Sequence, residues 1–503
     1  MNKFYITTSI AYVNSAPHIG FSMELVQGDV LARFHRLKGE DVFYMTGTDE
    51  HGSKMAQTAE KLDMGVQELA DKNAAEFEKL TQALNISNDY FIRTSSENHK
   101  RRAQALWQKL VDSGDIYKST YEGYYCVGCE SFILEKDLTD GVCPLHKTKP
   151  ELLKEENYFF KLSRYSDKIG KLIESDELKV LPESRKNEIL NVIKDQGLAD
   201  VSFSRSKKFL KWGIPVPGDD AQIMYVWCDA LSNYITGIGY SEDEEMFEKY
   251  WPADVHLIGK DIIRFHAGIW IGMLLSAQLP LPKSIYVHGF ITSEGQKMSK
   301  SLGNTVDPFY YIETYGIDAL RYYLLKEIST TSDGDFSAQR FKLLYNSDLA
   351  NNLGNLLNRL ITLSINNLGN NITAIKIKDE DKWKEYFDEI WREYEDGIAN
   401  FDLKKSLETV MKVADKANLF VDQEKPWVLA KEGKFEEVKE ILLTLLEILR
   451  QASIMLYPFL PVTSQKISLS LGTVFDKDFE KNREWGNRDF KLQKDGSLFP
   501  RVE

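Results

Sequence analysis

Along the first three hundred residues, short and nearly continuous apolar runs alternate with longer amphipathic stretches. Lys3–Ser9 is a β-rich run, and a turn-like Asn-Ser-Ala-Pro segment separates it from a helical stretch over Phe21–Lys38. Asp41–Thr46 is a second apolar strand, ending in Gly47-Thr48-Asp49-Glu50-His51-Gly52. The same kind of run returns at Val255–Ile258 and Ser284–His288. Alternation of this kind predicts βαβ units, and strands without a polar face belong to a parallel sheet covered on both sides. After about residue 340 the period becomes helical. Phe435–Ser453 sets Phe435, Val438, Ile441, Leu442, Leu445, Leu449 and Ala452 on one helical face. Lys342–Leu363 and Leu403–Phe420 are similar, so a helical bundle is expected there.

Residues 115–215 fit neither pattern. They hold a cysteine cluster, several aromatic residues and a basic stretch at Arg205–Lys211, and they read as an insertion that splits the α/β domain. The expected fold class is therefore α/β, with a parallel-sheet domain in halves at 1–114 and 216–290 around the insertion 115–215. A lysine-bearing loop region follows at 291–340, and the helical bundle takes up 341–503.

Composition narrows this little, but charge matters. The 503 residues include 63 basic and 76 acidic side chains, a formal charge of −13. That balance argues against binding nucleic acid through bulk positive charge and leaves a local basic surface open. With 43% hydrophobic and 28% charged residues, wholesale disorder is excluded. Residues 1–13 lack a secretory apolar core and cleavage site. The runs Ile269–Leu275 and Ile441–Leu449 are too short or too interrupted by charge to span a bilayer, so no membrane partner is expected. Four cysteines, three of them between residues 126 and 143, are no disulfide framework, and a cytoplasmic protein is expected.

Two loops carry candidate phosphate chemistry. Pro17-His18-Ile19-Gly20 sits where the first strand turns into the first helix. Ligands of open α/β sheets bind beyond the carboxyl ends of strands, and helix N-termini attract phosphate. His18 can donate to phosphoryl oxygens there, and Gly20 permits close approach; a purely structural histidine in a turn is the alternative. The second loop, Lys297-Met298-Ser299-Lys300-Ser301, lies near Gly289, Gly295 and Gly303. Its lysines suit a mobile clamp that offsets charge on a leaving pyrophosphate, against the plainer reading of a solvated loop. No GxxxxGK[ST] or GxGxxG motif occurs, so phosphate handling rests on these two loops.

The pattern Cys126-x2-Cys129-x13-Cys143-x2-His146 supplies four soft or borderline ligands in two close pairs. It matches a tetrahedral zinc site, and with all four positions filled by protein the metal is structural, one Zn2+ per chain.

Taken together, these segments resemble the methionyl-tRNA synthetases among the class I aminoacyl-tRNA synthetases. PHIG and KMSKS look like the two signature loops of the class. Thr46–Gly52 (TGTDEHG), Tyr225–Ala230 (YVWCDA), Gly259–His266 (GKDIIRFH) and His288-Gly289 match the family in its order. The resemblance implies a Rossmann-type catalytic domain split by a zinc-binding connective insertion, then an all-α anticodon-binding bundle, with the 291–340 region contacting the tRNA stem. It implies that methionine and ATP, carried with Mg2+, give methionyl-adenylate, and that the methionyl group passes to the 3′ end of tRNA(Met). Catalysis would rest on His18, Lys297 and Lys300. ATP would meet these residues together with Gly20, Phe21, Arg205, Gly259, Asp261, His288, Gly289, Met298 and Ser299.

Asp49 matches the family carboxylate that holds the methionine ammonium; otherwise it is a helix N-cap. The wall of the amino-acid pocket would comprise Ile10, Ala11, Tyr12, Trp227, Ala230, Tyr234, Ile262 and His266, and without the resemblance such an aromatic stripe reads as core. Arg205 acts either near the adenylate or on a solvated basic face. Asn352, Arg359 and Trp427 are the anticodon candidates, and a tryptophan after proline is otherwise a packing residue. One residue departs from the family: Phe21 stands where His or Asn is usual and cannot donate to phosphate. The rivals are another class I synthetase, for a branched-chain amino acid or cysteine, and a catalytically silent RNA-binding protein on a synthetase scaffold, to which Phe21 lends support. The chain ends at Glu503 without a further basic or strand-rich module, so a monomer is expected.

Overall fold

The computed structural model describes residues 2–126, 131–133, 135–144, 147–293, 295–298, 304–375, 377, 379–486 and 488–502. Its centre is a seven-stranded sheet. The strands are β1 (Lys3–Thr8), β2 (Ala11–Tyr12), β3 (Asp41–Asp49), β4 (Tyr90–Arg93), β5 (Lys179–Leu181), β6 (Val255–Gly259) and β7 (Ser284–His288). All pair in parallel. β1 and β2 follow one another along one edge of β3, from Lys3 opposite Asp41 to Tyr12 opposite Asp49, and β4 lies on the other edge. Beyond β1 come β6, β7 and β5 in turn.

The sheet separates two cores, as the two-residue period of a strand requires. Phe4 and Ile6 of β1 face one and Tyr5 the other. The helix α1 (Ile19–Leu37) covers the first face and is buried almost throughout, because the helical region packs on its far side. That core runs without a break from β1 through α1 into Leu442, Leu445 and Leu449 of the bundle.

Most expected elements are present with shifted ends. α1 begins at Ile19 rather than Phe21, and β3 runs on through Asp49, so most of the glycine-rich motif is itself strand. Lys342–Leu363 lies within helical turns running from Ala338 to Leu368, with a wide π-helical stretch at Tyr345–Gly354. Phe435 opens the helix Phe435–Leu456 but is 51% exposed, since the first turn projects beyond the packed face. The span 115–215 is not one separate block. Ile116–Cys126, Ser131–Ile133, Glu151–Phe160 and Val201–Ser202 form their own antiparallel sheet, yet β5 within the same span extends the central sheet. Val180 of β5 is buried in the second core, and this apolar burial draws the segment back. Among the described residues no helix is long and apolar enough to cross a membrane.

Candidate active site

The carboxyl ends of β2, β3, β6 and β7 meet beside the N-terminus of α1. β1 pairs with β3 on one side and β6 on the other, so the chain's direction of travel reverses there and a crevice opens beyond the strand ends. Tyr12 and Asp49 are partners in register at this edge, and Val13 N–H donates to the Asp49 carbonyl at 3.2 Å. Asp49 is the last residue of its strand, and Gly52 occupies the cap position of the next helix, Ser53–Lys61. The N-cap reading of Asp49 is therefore overturned. Gly47 is required two residues earlier: a Cβ there would lie 2.0 Å from the Ile92 carbonyl oxygen of β4. The next two side chains turn inward. Glu50 accepts from Arg93 through two bonds of 2.7 and 2.8 Å, and His51 Nδ1 meets Asp229 Oδ2 at 2.6 Å.

Of the residues expected to wall the amino-acid pocket, Trp227, Tyr234 and Ile262 meet the buried ring of His266. His266 lies in a π-helical stretch, Phe265–Trp270, a wide turn often found at functional sites. Its Nδ1–H donates to the Ile262 carbonyl at 2.9 Å, so Nε2 accepts from the Tyr234 hydroxyl at 2.6 Å. Burial lowers its pKa to about 4. Trp227 stands edge-on to His266 and stacks flat on Phe265 at 3.8 Å. Phe265 escaped the sequence reading, although it directly precedes His266. Ala230 is buried, Ile10 packs against the second core, and Ala11 and Tyr12 pack on a small third cluster with Val13 and Met55.

His18, Gly20 and Phe21, the first of the residues expected at the phosphates, lie at the start of α1. His18 is the N-cap of that helix, exposed, with Nδ1 accepting from Gly20 N–H at 3.1 Å. Gly20 leaves room for the ring, since a Cβ would lie 2.9 Å from it. Phe21 turns away to pack edge-on against Phe77 at 5.0 Å. His288, at the end of β7, reaches the Glu24 carboxylate of α1 at 2.8 Å and the Gly289 carbonyl at 2.7 Å. Burial pulls its pKa down, but Glu24 and that carbonyl outweigh burial and raise it. Glu24 also accepts from Ser9 at 2.6 Å. The only sequence signal for Glu24 is an acid set between the apolar residues Met23 and Leu25. Gly259 ends β6 and leads into a short turn at Lys260–Ile262 with Asp261 exposed. Gly289 backs onto the Ser332 carbonyl, too close for any Cβ.

Lys297 pairs through its backbone with Thr292, and Met298 packs against the first core. Ser299 and Lys300 lie outside the described residues. Arg205 is on no solvated face. It is buried, with its guanidinium over the rings of Tyr125 at 5.3 Å and Tyr225 at 4.6 Å and Nη1 donating to Ser202 and Ser204. The tyrosine rings shield it from water, whereas Lys208 and Lys211 of the same stretch are exposed.

Residues 4–145 and 133–361 match the family of class I tRNA synthetases (M). The methionine–tRNA ligase of Bacillus subtilis (strain 168) is 42% identical, over 100% of this chain and 78% of that protein. The Rickettsia conorii methionine–tRNA ligase is 42% identical, over 94% and 93% of the two chains. The chain belongs to the methionine–tRNA ligase family. The Mycobacterium tuberculosis methionyl-tRNA synthetase in complex with methionyl-adenylate is 37% identical and superposes with a TM-score of 0.95, covering 100% of both chains.

Two further features expected of a methionine–tRNA ligase lie away from the crevice. In the helical region a groove of about 660 Å³ is lined by Asn351, Asn355, Asn358, Arg359, Thr362, Leu363 and Asn418. Asn352 is not among them. It bridges two helices instead, donating to Asp415 and accepting from Asn418, both at 2.7 Å. One residue earlier or three later the helix faces outward, which puts Asn351 and Asn355 in the groove. Arg359 donates to Asp422 at 2.7 Å and lies over the half-buried Trp427 ring at 4.7 Å. Of the four zinc candidates, Cys126 ends its strand and Cys143 precedes a turn, both buried; Cys129 and His146 lie outside the described residues.

Proposed function

We infer that the chain activates methionine with ATP and transfers it to tRNA. In the first step a carboxylate oxygen of methionine attacks the α-phosphorus of ATP. The bond to the β-phosphate breaks, and pyrophosphate leaves methionyl-adenylate. In the second, a terminal ribose hydroxyl of tRNA attacks the activated carbonyl and AMP departs. The substrate supplies its own nucleophile, so the protein's work is positioning and charge stabilisation. The observation that carries this reading is the register of Tyr12 with Asp49 at the strand ends. It sets a carboxylate-bearing residue at the carboxyl end of the parallel sheet, where open α/β sheets bind their ligands, and so supports an ammonium site there.

In the assignment we propose, Asp49 takes the ammonium, and Trp227, Ala230, Tyr234, Ile262 and His266 take the thioether chain. His18 and the N-terminus of α1 hold phosphate together with Lys297 and Lys300, while Gly259, Asp261, His288 and Gly289 hold the nucleoside. Because His288 faces two acceptors, it serves through the position of the β7 end, and Arg205 serves by joining the insertion's Tyr125 to Tyr225. Phe21 anchors α1 to Phe77 rather than meeting phosphate.

Cys126, Cys129, Cys143 and His146 are the proposed holders of one structural Zn2+. The two described thiols are buried, as ligands to such an ion are. The helical bundle, 341–503, takes the anticodon by stacking on Trp427, with Arg359 and the asparagine-lined groove meeting base edges. The chain acts in the cytoplasm as a monomer. ATP–pyrophosphate exchange with each amino acid in turn is the test. Methionine is expected to drive exchange; isoleucine outrunning it, or no methionine-dependent exchange at saturating ATP, would overturn the reading.

A further inference from the structure

The turn that follows Asp49 is gripped by groups that the reaction itself does not use. Glu50 is buried under Arg93 and Ser95. His51 leads elsewhere, with its Nδ1 2.6 Å from Asp229 Oδ2. The other oxygen of Asp229 meets His99 Nε2 at 2.7 Å, and His99 Nδ1 meets Thr236 Oγ1 at 2.7 Å. His51, Asp229 and His99 are 2%, 1% and 1% exposed, so water does not compete for these bonds. Burial alone would push the Asp229 carboxyl up, but the two imidazoles outweigh it and hold it below its ordinary value. Only a carboxylate accepts from two imidazoles at once, since an amide presents a donor at one end. Asp229 sits in the short helix Val226–Leu231, directly before Ala230 and two residues after Trp227.

We propose that Asp229, acting through His51, is a positioning residue for the amino-acid substrate. It ties the turn carrying Asp49 to the helix carrying Trp227 and Ala230, so that the ammonium site and the apolar wall keep one spacing. The side chain of an α-amino acid sets the greatest distance it can span from its ammonium, and a constant spacing between the two subsites favours the side chain that fills it in one extended conformation. The proposal rests on the reading of Asp49 as the ammonium ligand.

Asp229→Asn keeps the shape and turns one accepting oxygen into a donor that faces an imidazole N–H. In ATP–pyrophosphate exchange, its KM for methionine should rise about tenfold, the size of one lost charge-assisted hydrogen bond. KM for ATP and kcat should stay within about twofold, because ATP does not use this spacing. Asp49→Asn with Asp229→Asn should be no worse for methionine than Asp49→Asn alone, because both changes act on one contact. His51→Asn, which keeps a donor at the Nδ1 position, should preserve KM for methionine where His51→Leu raises it; this pair decides the matter if Asp229→Asn fails to fold. Additive losses, equal rises in both KM values, or equal effects of the two His51 substitutions would overturn the proposal. So would an unchanged KM for methionine in Asp229→Asn while Asp49→Asn raises it. An unchanged KM in Asp49→Asn would overturn the ammonium reading and this proposal with it.

Discussion

Arg321 and Asp29 meet at 2.7 Å with both side chains fully buried. Asp29 lies on α1, ten residues after Ile19, and its other contacts are Arg33 and Ser87. Arg321 also donates to the carbonyls of Phe459 at 2.7 Å and Pro458 at 2.9 Å. The helix that begins at His18 is thus joined through one guanidinium to the loop that ends the helix Phe435–Leu456.

Removing one partner of such a pair leaves a buried charge without compensation. Arg321→Met is expected to cost about 3–5 kcal/mol in denaturant unfolding, and Arg321→Met with Asp29→Asn should recover part of that loss. Burial would raise the Asp29 pKa, but Arg321 and Arg33 outweigh it and lower it. The stability this gives is present above the ordinary carboxylate value and is lost as pH falls through the depressed folded value. An acid transition unchanged in Asp29→Asn would contradict it.

His266 predicts a second pH effect, of the depressed-histidine kind. The unfolded ring takes up a proton near pH 6.5, and the buried one only near 4. Stability is whole above 6.5 and falls as pH drops between those values, by about 3 kcal/mol at 1.36 kcal/mol per unit. Comparing His266→Gln with the parent at pH 7.5 and pH 5 should show a flatter acid limb in the variant. Parallel limbs would mean that the ring takes up its proton equally readily in the folded and the unfolded chain, and would contradict the burial argument.

Trp427→Ala should separate the two half-reactions. A base that stacks on tryptophan loses about 1–3 kcal/mol, so kcat/KM for tRNA charging should fall roughly tenfold to a hundredfold. ATP–pyrophosphate exchange should stay near its parent rate. Equal loss of both would show that Trp427 packs the fold rather than reads the tRNA.

Zinc content is the check on the cysteine knuckle. Elemental analysis of the purified chain should find about one zinc per molecule, as four protein ligands require. Cys143→Ser should lose it and lower the melting temperature. Charging of tRNA should suffer more than exchange, since the four proposed ligands fall within the insertion, 115–215, that we propose meets the tRNA. A metal-free chain with both activities intact would exclude a structural zinc.

Where chemistry is local, the chain announces it. The apolar runs at Lys3, Asp41, Val255 and Ser284 became strands because a strand buried on both faces needs little more than its own composition. His18 could be placed at a helix start because the signal is a few residues long. Elsewhere distant contacts outweigh local pattern. Lys179–Leu181 looked like part of an insertion, but it completes an edge of the central sheet. Asn352, an anticodon candidate, is turned by its helix toward Asp415 and Asn418, while Asn351 and Asn355 line the groove. Arg205 sat in a basic run, yet two tyrosines enclose it.

By itself, then, the sequence determined which elements form, which motifs they carry and in what order, because periodicity and short spacing act within a turn or a strand. It named Asp49 and His51 as neighbours in one motif. What His51 is for was decided only by the tertiary structure. Its partner Asp229 is 178 residues away in the chain and comes within 2.6 Å only when the sheet and the helix after it have packed. A buried carboxylate becomes favourable once its hydrogen-bond donors arrive, and folding is what brings them.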